Sequence, residues 1–157
     1  MEQQLLFLDT EFTDFNDPKL ISVGIAGLGG EEFYAEVEYS IEECSEFVRK
    51  TVLPLLTQER KHSLEELRLA LLSWIEQVRS SGPILICFDS EYDRRMLEQI
   101  FETKMPPSTV LRCLGASHVN KLKMYEWHVK HKQAEHHALY DARALKHGFR
   151  GWVRNVR

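Results

Sequence analysis

Two carboxylates stand on alternate residues near the start of the chain. Asp9 and Glu11 flank Thr10, directly after an apolar run at residues 5–8. In an extended strand alternate side chains leave the same face, so both carboxylates would point the same way. Two anions held that close repel each other unless a cation lies between them. The pair therefore indicates either a cation site at the end of a strand or a chance spacing of common residues.

A second group of acids follows another apolar run, at residues 83–88. Asp89 comes directly after that run, and Asp93 falls in the first turn of the helix predicted next. Acids are also favoured at helix N-termini for electrostatic reasons, so this group has a structural interpretation as well. Asp93 is the preferred functional candidate, because Leu97 and Ile100 would hold its helix against the sheet. Asp89 is its rival.

A histidine and an acid come together in the last quarter of the chain. His136 precedes a predicted helix, and Asp141 lies on that helix. Histidine is the side chain best suited to take a proton near neutral pH, and an adjacent aspartate can hold a metal ion. Taken alone, this segment would more often be an ordinary polar start of a helix.

The elements that would position these residues follow a simple order. Strands are predicted at residues 5–8, 20–26 and 33–37, with a glycine-rich turn at 27–30. Helical spacing then begins after Ser40 and ends by Pro54, and Ser63 with Glu66 forms a capping-box pair ahead of a second helix. Further strands are predicted at 83–88 and 110–114. Further helices are predicted from about 92 to 101, 116 to 131 and 138 to 153.

This order predicts an α/β fold in a single domain covering residues 1–157. Three strands joined by short links favour an antiparallel meander, and two later strands separated by helices favour parallel additions to it. The result is a mixed five-stranded sheet with helices on both faces. Ligands in such sheets gather at the carboxyl ends of central strands, which is where Asp9, Glu11 and the segment 89–93 would lie.

Together and in this order, the three motifs resemble the DEDDh family of 3′-to-5′ exonucleases, in the ribonuclease-H-like superfamily. The resemblance spans residues 5 to about 145, through FLDTE at 7–11, YD at 92–93 and HHALYD at 136–141. Tyrosine-bearing relatives place their tyrosine where His137 stands, whereas the histidine type fits His136. The chain departs from the family pattern at two places. Phe88 and Asp89 stand at the end of the strand before the second motif, where the family usually has a His-Asn pair, and Asp14 stands where the family frequently has glycine.

The resemblance implies a catalytic set of Asp9, Glu11, Asp93, His136 and Asp141. The four carboxylates would hold two divalent cations, Mg²⁺ or Mn²⁺, and His136 would act as general base. It also implies that residues within and just beyond the first motif contact the terminal nucleotides of a single strand, and these are Thr10, Phe12, Thr13 and Phe15. For Phe12, packing in the core is an equal alternative.

The substrate implied is the 3′ end of single-stranded or overhanging RNA, by analogy with short ribonuclease-T-like members. A DNA exonuclease of the proofreading or repair type and a non-catalytic nucleic-acid-binding relative are the alternatives. The net charge of −4 is unevenly distributed, because residues 1–111 carry −11 and residues 112–157 carry +7. The basic segment, residues 112–157, could bind the phosphate backbone of a nucleic acid.

The chain shows no secretory signal or membrane-spanning run, which predicts a cytoplasmic protein with no membrane partner. Cys44, Cys87 and Cys113 are odd in number and widely spaced, and we expect them to be reduced and mostly buried. Members of this size often form homodimers, so a homodimer is an expectation from the resemblance.

Overall fold

A computed structural model describes residues 3–79 and 81–152 of the chain. Within these residues one five-stranded sheet has the order β3-β2-β1-β4-β5. The strands are β1 (Gln4–Phe12), β2 (Leu20–Gly27), β3 (Glu32–Glu36), β4 (Ile84–Phe88) and β5 (Thr109–Cys113). β1, β2 and β3 pair in antiparallel fashion, whereas β4 runs parallel to β1 and β5 parallel to β4. The predicted meander with two parallel additions is confirmed.

The helices of the described residues are α1 (Glu46–Thr51), α2 (Leu64–Val78), α3 (Glu91–Phe101), α4 (Lys121–His131) and α5 (Ala138–Gly148). The predicted capping box of α2 is present, since the Ser63 side chain accepts from the Glu66 N–H and the Glu66 side chain accepts from the Ser63 N–H. No helix within residues 3–79 and 81–152 is long and apolar enough to cross a membrane.

Helices cover both faces of the sheet, as predicted. On one face Leu6 and Leu8 of β1 pack in a cluster with apolar residues of α2 and α3. On the other face Phe7 packs with Leu145 of α5 and with residues near α4. Because strand side chains alternate, the odd-numbered residues of β1 face α5 and the even-numbered ones face α2 and α3.

Four elements differ in extent from the prediction. β1 continues to Phe12, because its pairing with β2 extends through the acidic motif. The first predicted helix is broken into α1 and two short 3-10 turns, the second of which contains Pro54. α4 starts only at Lys121, after Asn120 caps it. α5 ends at Gly148, and the predicted end near Val153 lies outside the described residues.

Candidate active site

The first two carboxylates rise from β1, in the middle of the sheet. β1 lies between β2 and β4, and its pairing with β4 ends at Phe7. Asp9 and Glu11 therefore extend past the last β1–β4 pair while still held by β2. They leave the same face as Phe7, which is the face that α5 covers. The same-face geometry predicted for the pair is present.

Asp93 is fixed to β1 by hydrogen bonds from Thr10. The Thr10 N–H donates to Oδ1 of Asp93 at 3.1 Å, and the Thr10 hydroxyl donates to the same oxygen at 2.6 Å. Ser90 caps α3 by accepting from the Tyr92 N–H, which sets the first turn that carries Asp93. Asp93 is only 2% exposed, and its Oδ2 has no hydrogen-bond partner among the described residues.

α5 carries Asp141, and its first turn lies directly against β2. A Cβ added at Gly24 would stand 2.3 Å from the backbone nitrogen of Leu139, so the two backbones are in contact. His137 caps the helix, its Nδ1 accepting from the Tyr140 N–H. Glycine at position 24 thus lets Asp141 approach the carboxylates of β1.

His136 and Asp141 are linked through the backbone. The His136 N–H donates to Oδ2 of Asp141 at 3.0 Å. His136 has φ of 67°, in the left-handed region that non-glycine residues rarely adopt. The ring makes an edge-on contact with Phe47, with centroids 5.0 Å apart. Backbone strain of this kind is common at functional sites, where surrounding contacts hold it.

The structure brings the five predicted catalytic residues together. Ligand atoms of Glu11, His136 and Asp141 lie within 4.8 Å of one another, and so do those of Asp9, Asp89 and Asp93. The residues come from β1, α3 and the start of α5, which are distant in sequence. Asp89 and Asp93, the two candidates of the second motif, both stand in the second group.

Burial and mutual repulsion raise the pKa values of the clustered carboxyls. Desolvation is the largest cause at Asp9, followed by the charge of Asp141, and the pKa of Asp9 lies well above its usual value. Desolvation and the charge of Asp141 raise the pKa of Glu11 to about 9. Burial raises the pKa of Asp93 to about 7 and that of Asp141 to about 6. Without a cation, the site therefore retains protons at neutral pH.

The residues present fit a site for hard divalent cations. Oδ2 of Asp9 and Oδ2 of Asp93 are buried and have no hydrogen-bond partner among the described residues. A buried carboxylate oxygen without a donor is costly, and a cation would satisfy it. The donor set is four or five carboxylates with one imidazole, and oxygen ligands of this kind suit Mg²⁺ or Mn²⁺.

His128 was not selected from the sequence as a candidate site residue. His128 is 8% exposed, and its Nδ1 donates to the carbonyl oxygen of Gln133 at 2.8 Å. Its Nε2 lies 3.1 Å from Oδ1 of Asp141. His131, three residues along the same helix, is exposed. No local feature of the sequence distinguishes the buried His128 from the exposed His131, because only the packing of α4 on α5 brings His128 to Asp141.

Two cavities meet at the carboxylates. The larger, of about 650 Å³, is lined by apolar residues that include Phe12 of β1, Phe15 in the turn after it, and Phe47 of α1. The smaller, of about 370 Å³, is lined by one side of α4 together with Asp89. Both are bounded by the same three residues, which are Asp9, His136 and Asp141. A ligand that crosses this shared boundary would contact the catalytic candidates.

An aromatic cluster forms one wall of the larger cavity. Phe12 stacks on Tyr92 at 5.1 Å, and Phe15 meets both rings edge-on. The Tyr92 hydroxyl donates to the carbonyl oxygen of Phe15 at 3.2 Å. Phe15 remains 66% exposed, whereas Phe12 is half-buried and packs at the margin of the core. Phe47 lines this cavity too, and the sequence reasoning did not select it.

The side chain of Thr13, a predicted nucleic-acid contact, is buried in the structure. Thr13 is 1% exposed, and its hydroxyl accepts from the Lys19 N–H at 3.1 Å, so it shapes the turn after β1. Thr10 borders the larger cavity, but its hydroxyl is committed to Asp93. In both cases the threonine hydroxyl forms a hydrogen bond with a neighbouring protein group.

A protein-family model matches almost the whole chain. The sequence model of the 3'-5' exoribonuclease Rv2179c-like domain matches residues 4–151. No curated protein sequence matches the chain. The match includes all three motifs and every strand and helix described above. The chain therefore belongs to the Rv2179c-like 3'-5' exoribonuclease domain family.

Proposed function

We propose that the protein is a metal-dependent exoribonuclease of the DEDDh type, which removes nucleoside monophosphates from the 3′ end of single-stranded or overhanging RNA. The observation that carries the proposal is the convergence of Asp9, Glu11, Asp93 and Asp141 with the imidazole of His136. The family to which the chain belongs supports the exoribonuclease activity and its polarity.

Asp9, Glu11, Asp93 and Asp141 would hold two divalent cations, Mg²⁺ or Mn²⁺. When bound, such a pair lowers the pKa of an attacking water and neutralises charge that develops on the leaving oxygen. Thr10 supports the site by fixing Oδ1 of Asp93, which leaves Oδ2 available. The His136 N–H similarly fixes Oδ2 of Asp141. The protein thus presents oriented carboxylates, with little rearrangement needed on binding.

His136 is the proposed general base. Its ring faces both cavities and has a nitrogen within 4.8 Å of carboxylate oxygens of Glu11 and Asp141. In the proposed step the water oxygen attacks phosphorus, His136 takes the water proton, and the bond from phosphorus to the 3′ oxygen breaks. The products are a nucleoside 5′-monophosphate and an RNA shortened by one nucleotide. The edge contact with Phe47 limits rotation of the ring.

The larger cavity is the proposed site of the terminal nucleoside. Its apolar walls contain exposed aromatic rings of Phe15 and Phe47. Stacking of a base on an aromatic ring contributes about 1 to 3 kcal/mol and is tolerant of base identity. The Phe12–Phe15–Tyr92 cluster holds the ring of Phe15 in place before substrate arrives. An ordered stacking surface reduces the entropy lost on binding.

A 5′-labelled single-stranded RNA incubated with the protein and Mg²⁺ or Mn²⁺ tests the proposal. We expect a ladder of products that shorten from the 3′ end, and we expect chelator to abolish it. A matched DNA oligonucleotide in the same assay tests the preference for RNA. An intact RNA after incubation with enzyme and either cation would contradict the proposed activity, and faster degradation of DNA would contradict the proposed substrate.

A further inference from the structure

No ligand is assigned to the smaller cavity in the function proposed above. It lies on the other side of the boundary formed by Asp9, His136 and Asp141. A scissile phosphate at that boundary divides the RNA into the terminal nucleoside and the strand on its 5′ side. Since the larger cavity is assigned to the terminal nucleoside, the strand on the 5′ side must leave the active site along the smaller cavity.

One side of α4 forms the wall of this smaller cavity. Lys121, Met124, Tyr125 and His128 line it, at spacings of three, four and seven residues along the helix. Residues at these spacings share a helix face. His128 is buried against Asp141, whereas Tyr125 is 59% exposed. The face therefore changes from a buried contact at the carboxylates to an accessible aromatic ring.

Lys121 places a positive charge at the edge of the carboxylate site. Its Nζ lies 3.1 Å from Oδ2 of Asp89, which belongs to the same cluster as Asp9 and Asp93. The Lys121 side chain is 72% exposed, so its ammonium has donors available to a ligand as well as to Asp89. A cation at this position can contact a phosphodiester that passes over the carboxylates.

Two other basic side chains of the C-terminal region are engaged elsewhere. Arg143 donates to Glu32 of β3 and to Gln133, and Lys146 donates to the carbonyl oxygen of Gly27. These contacts tie α5 to the far strands of the sheet. Neither residue lines either cavity at the carboxylates, whereas Lys121 does.

We infer that α4 binds the RNA strand on the 5′ side of the scissile phosphate. Lys121 contacts the next phosphodiester, and Tyr125 stacks on the penultimate base. Asp89 holds the Lys121 ammonium in position for this contact. The inference rests on the proposed function, because it takes the orientation of the strand from the assignment of the larger cavity.

Comparing two substrates distinguishes an effect of a variant on this RNA contact from an effect on the hydrolytic step. A single-stranded RNA has a penultimate nucleotide, whereas the 5′-p-nitrophenyl ester of uridine monophosphate has only a nitrophenolate leaving group in its place. We expect Lys121→Met and Tyr125→Ala to lower kcat/KM for RNA roughly 10-fold more than kcat/KM for the ester. The loss should lie mainly in KM. Tyr125→Phe keeps the ring and should restore the value for RNA.

Salt dependence gives a second readout on RNA alone. A lysine that neutralises one phosphate of a single strand contributes about 0.7 to the slope of log KM against log salt. Lys121→Met should lower that slope by this amount. Lys104→Met removes an exposed charge in the loop before β5, at the opposite end of the sheet, and should leave the slope as in the wild type.

The outcomes distinguish this inference from the proposed function. Equal losses on both substrates, or variants that behave like Lys104→Met, overturn the role of α4 while the exonuclease assignment stands. A wild-type protein that hydrolyses neither substrate overturns both. Thermal melting of each variant identifies a general folding defect, which would lower activity on both substrates together.

Discussion

The sheet face covered by α2 and α3 and the face covered by α5 bury different kinds of groups. Against α2 and α3, residues such as Leu71 and Ile75 are fully buried in an apolar cluster. Against α5, the sheet buries Asp9 and Glu11 beside Asp141, and burial raises the pKa values of all three carboxyls. The first face gains stability from burial, whereas the second loses stability unless a cation or protons neutralise it.

This difference separates folding from function along the same central strand. Leu8 of β1 belongs to the apolar cluster, while Asp9, the next residue, belongs to the carboxylate site. Variants on the two faces should therefore have opposite effects on stability and on activity. The predictions below test that separation, from the largest expected effect to the smallest.

The largest effect is expected at Asp9. Asp9→Ala removes an oxygen from the proposed cation site, and activity on RNA should fall on the order of 10³-fold. The same change removes a buried, repelled carboxylate, so the melting temperature without cations should rise or stay unchanged. Activity assays and thermal melts in chelator measure the two effects. Asp17→Ala, which removes an exposed acid, is the control, and substantial turnover by Asp9→Ala would contradict the assignment.

Leu71→Ala should have the opposite effect. Leu71 is 0% exposed in the apolar cluster, and its truncation leaves a cavity that costs about 2–5 kcal/mol of unfolding free energy. Urea denaturation measures this cost, and kcat per folded molecule should not change. Leu69→Ala on the same helix, where Leu69 is 62% exposed, should cost less than about 0.5 kcal/mol. Equal costs at the two positions would be incompatible with the described packing of α2.

His136→Ala tests the proposed base apart from the carboxylates. Loss of a general base should lower kcat on the order of 10²-fold. KM should change little, because His136 acts on the water. Single-turnover kinetics measures the step, and His147→Ala, an exposed histidine on α5, is the matched control. A kcat equal to that of the wild type would exclude His136 as the base.

The pH dependence of stability should reverse when cations bind. The folded-state pKa values of Glu11, Asp93 and Asp141 are raised to about 9, 7 and 6, so the cation-free folded protein holds more protons than the unfolded chain above about pH 5. The contribution of these three carboxyls to stability is greatest below their unfolded pKa values, and it falls as pH rises, by about 1.4 kcal/mol per pH unit for each extra proton held.

Melting temperatures in chelator should therefore decrease from pH 6 to pH 8. With saturating Mn²⁺ they should increase over the same range, because the cations bind the ionised carboxylates. Glu11→Gln should flatten the profile measured in chelator. Parallel profiles with and without Mn²⁺ would show that the cations bind elsewhere.

The smallest effect is expected at the cap of α2. Ser63→Ala removes the side-chain acceptor of the Glu66 N–H and should cost about 1 kcal/mol of unfolding free energy, with no change in kcat. Ser73→Ala, in the exposed middle of the same helix, should cost nothing or stabilise slightly. Equal effects of the two changes in urea denaturation would show that the capping box does not contribute.

Local signals in the sequence predicted most of the fold. The alternation of apolar runs and turns predicted the strands, and Ser63 with Glu66 predicted the start of α2, because these features depend on residues close in the chain. The convergence of Asp9, Glu11, Asp93, His136 and Asp141 required the resemblance as well, since each motif alone was weak.

Contacts made only by packing between elements could not be predicted. Nothing near His128 in the sequence indicates that Asp141 lies 3.1 Å from its ring, and nothing near Asp89 indicates the pairing with Lys121. The burial of Thr13 could not be predicted either, because it depends on how the turn after β1 folds back. The boundaries of β1 and α5 were likewise set by pairing and packing with distant residues.

Calorimetric titration of the cation-free protein with Mn²⁺ tests the central claim most directly. The account predicts that the wild-type chain binds two ions and that Asp9→Ala loses at least one of them. A wild-type protein that binds no Mn²⁺, or an Asp9→Ala variant with unaltered stoichiometry and affinity, would contradict it.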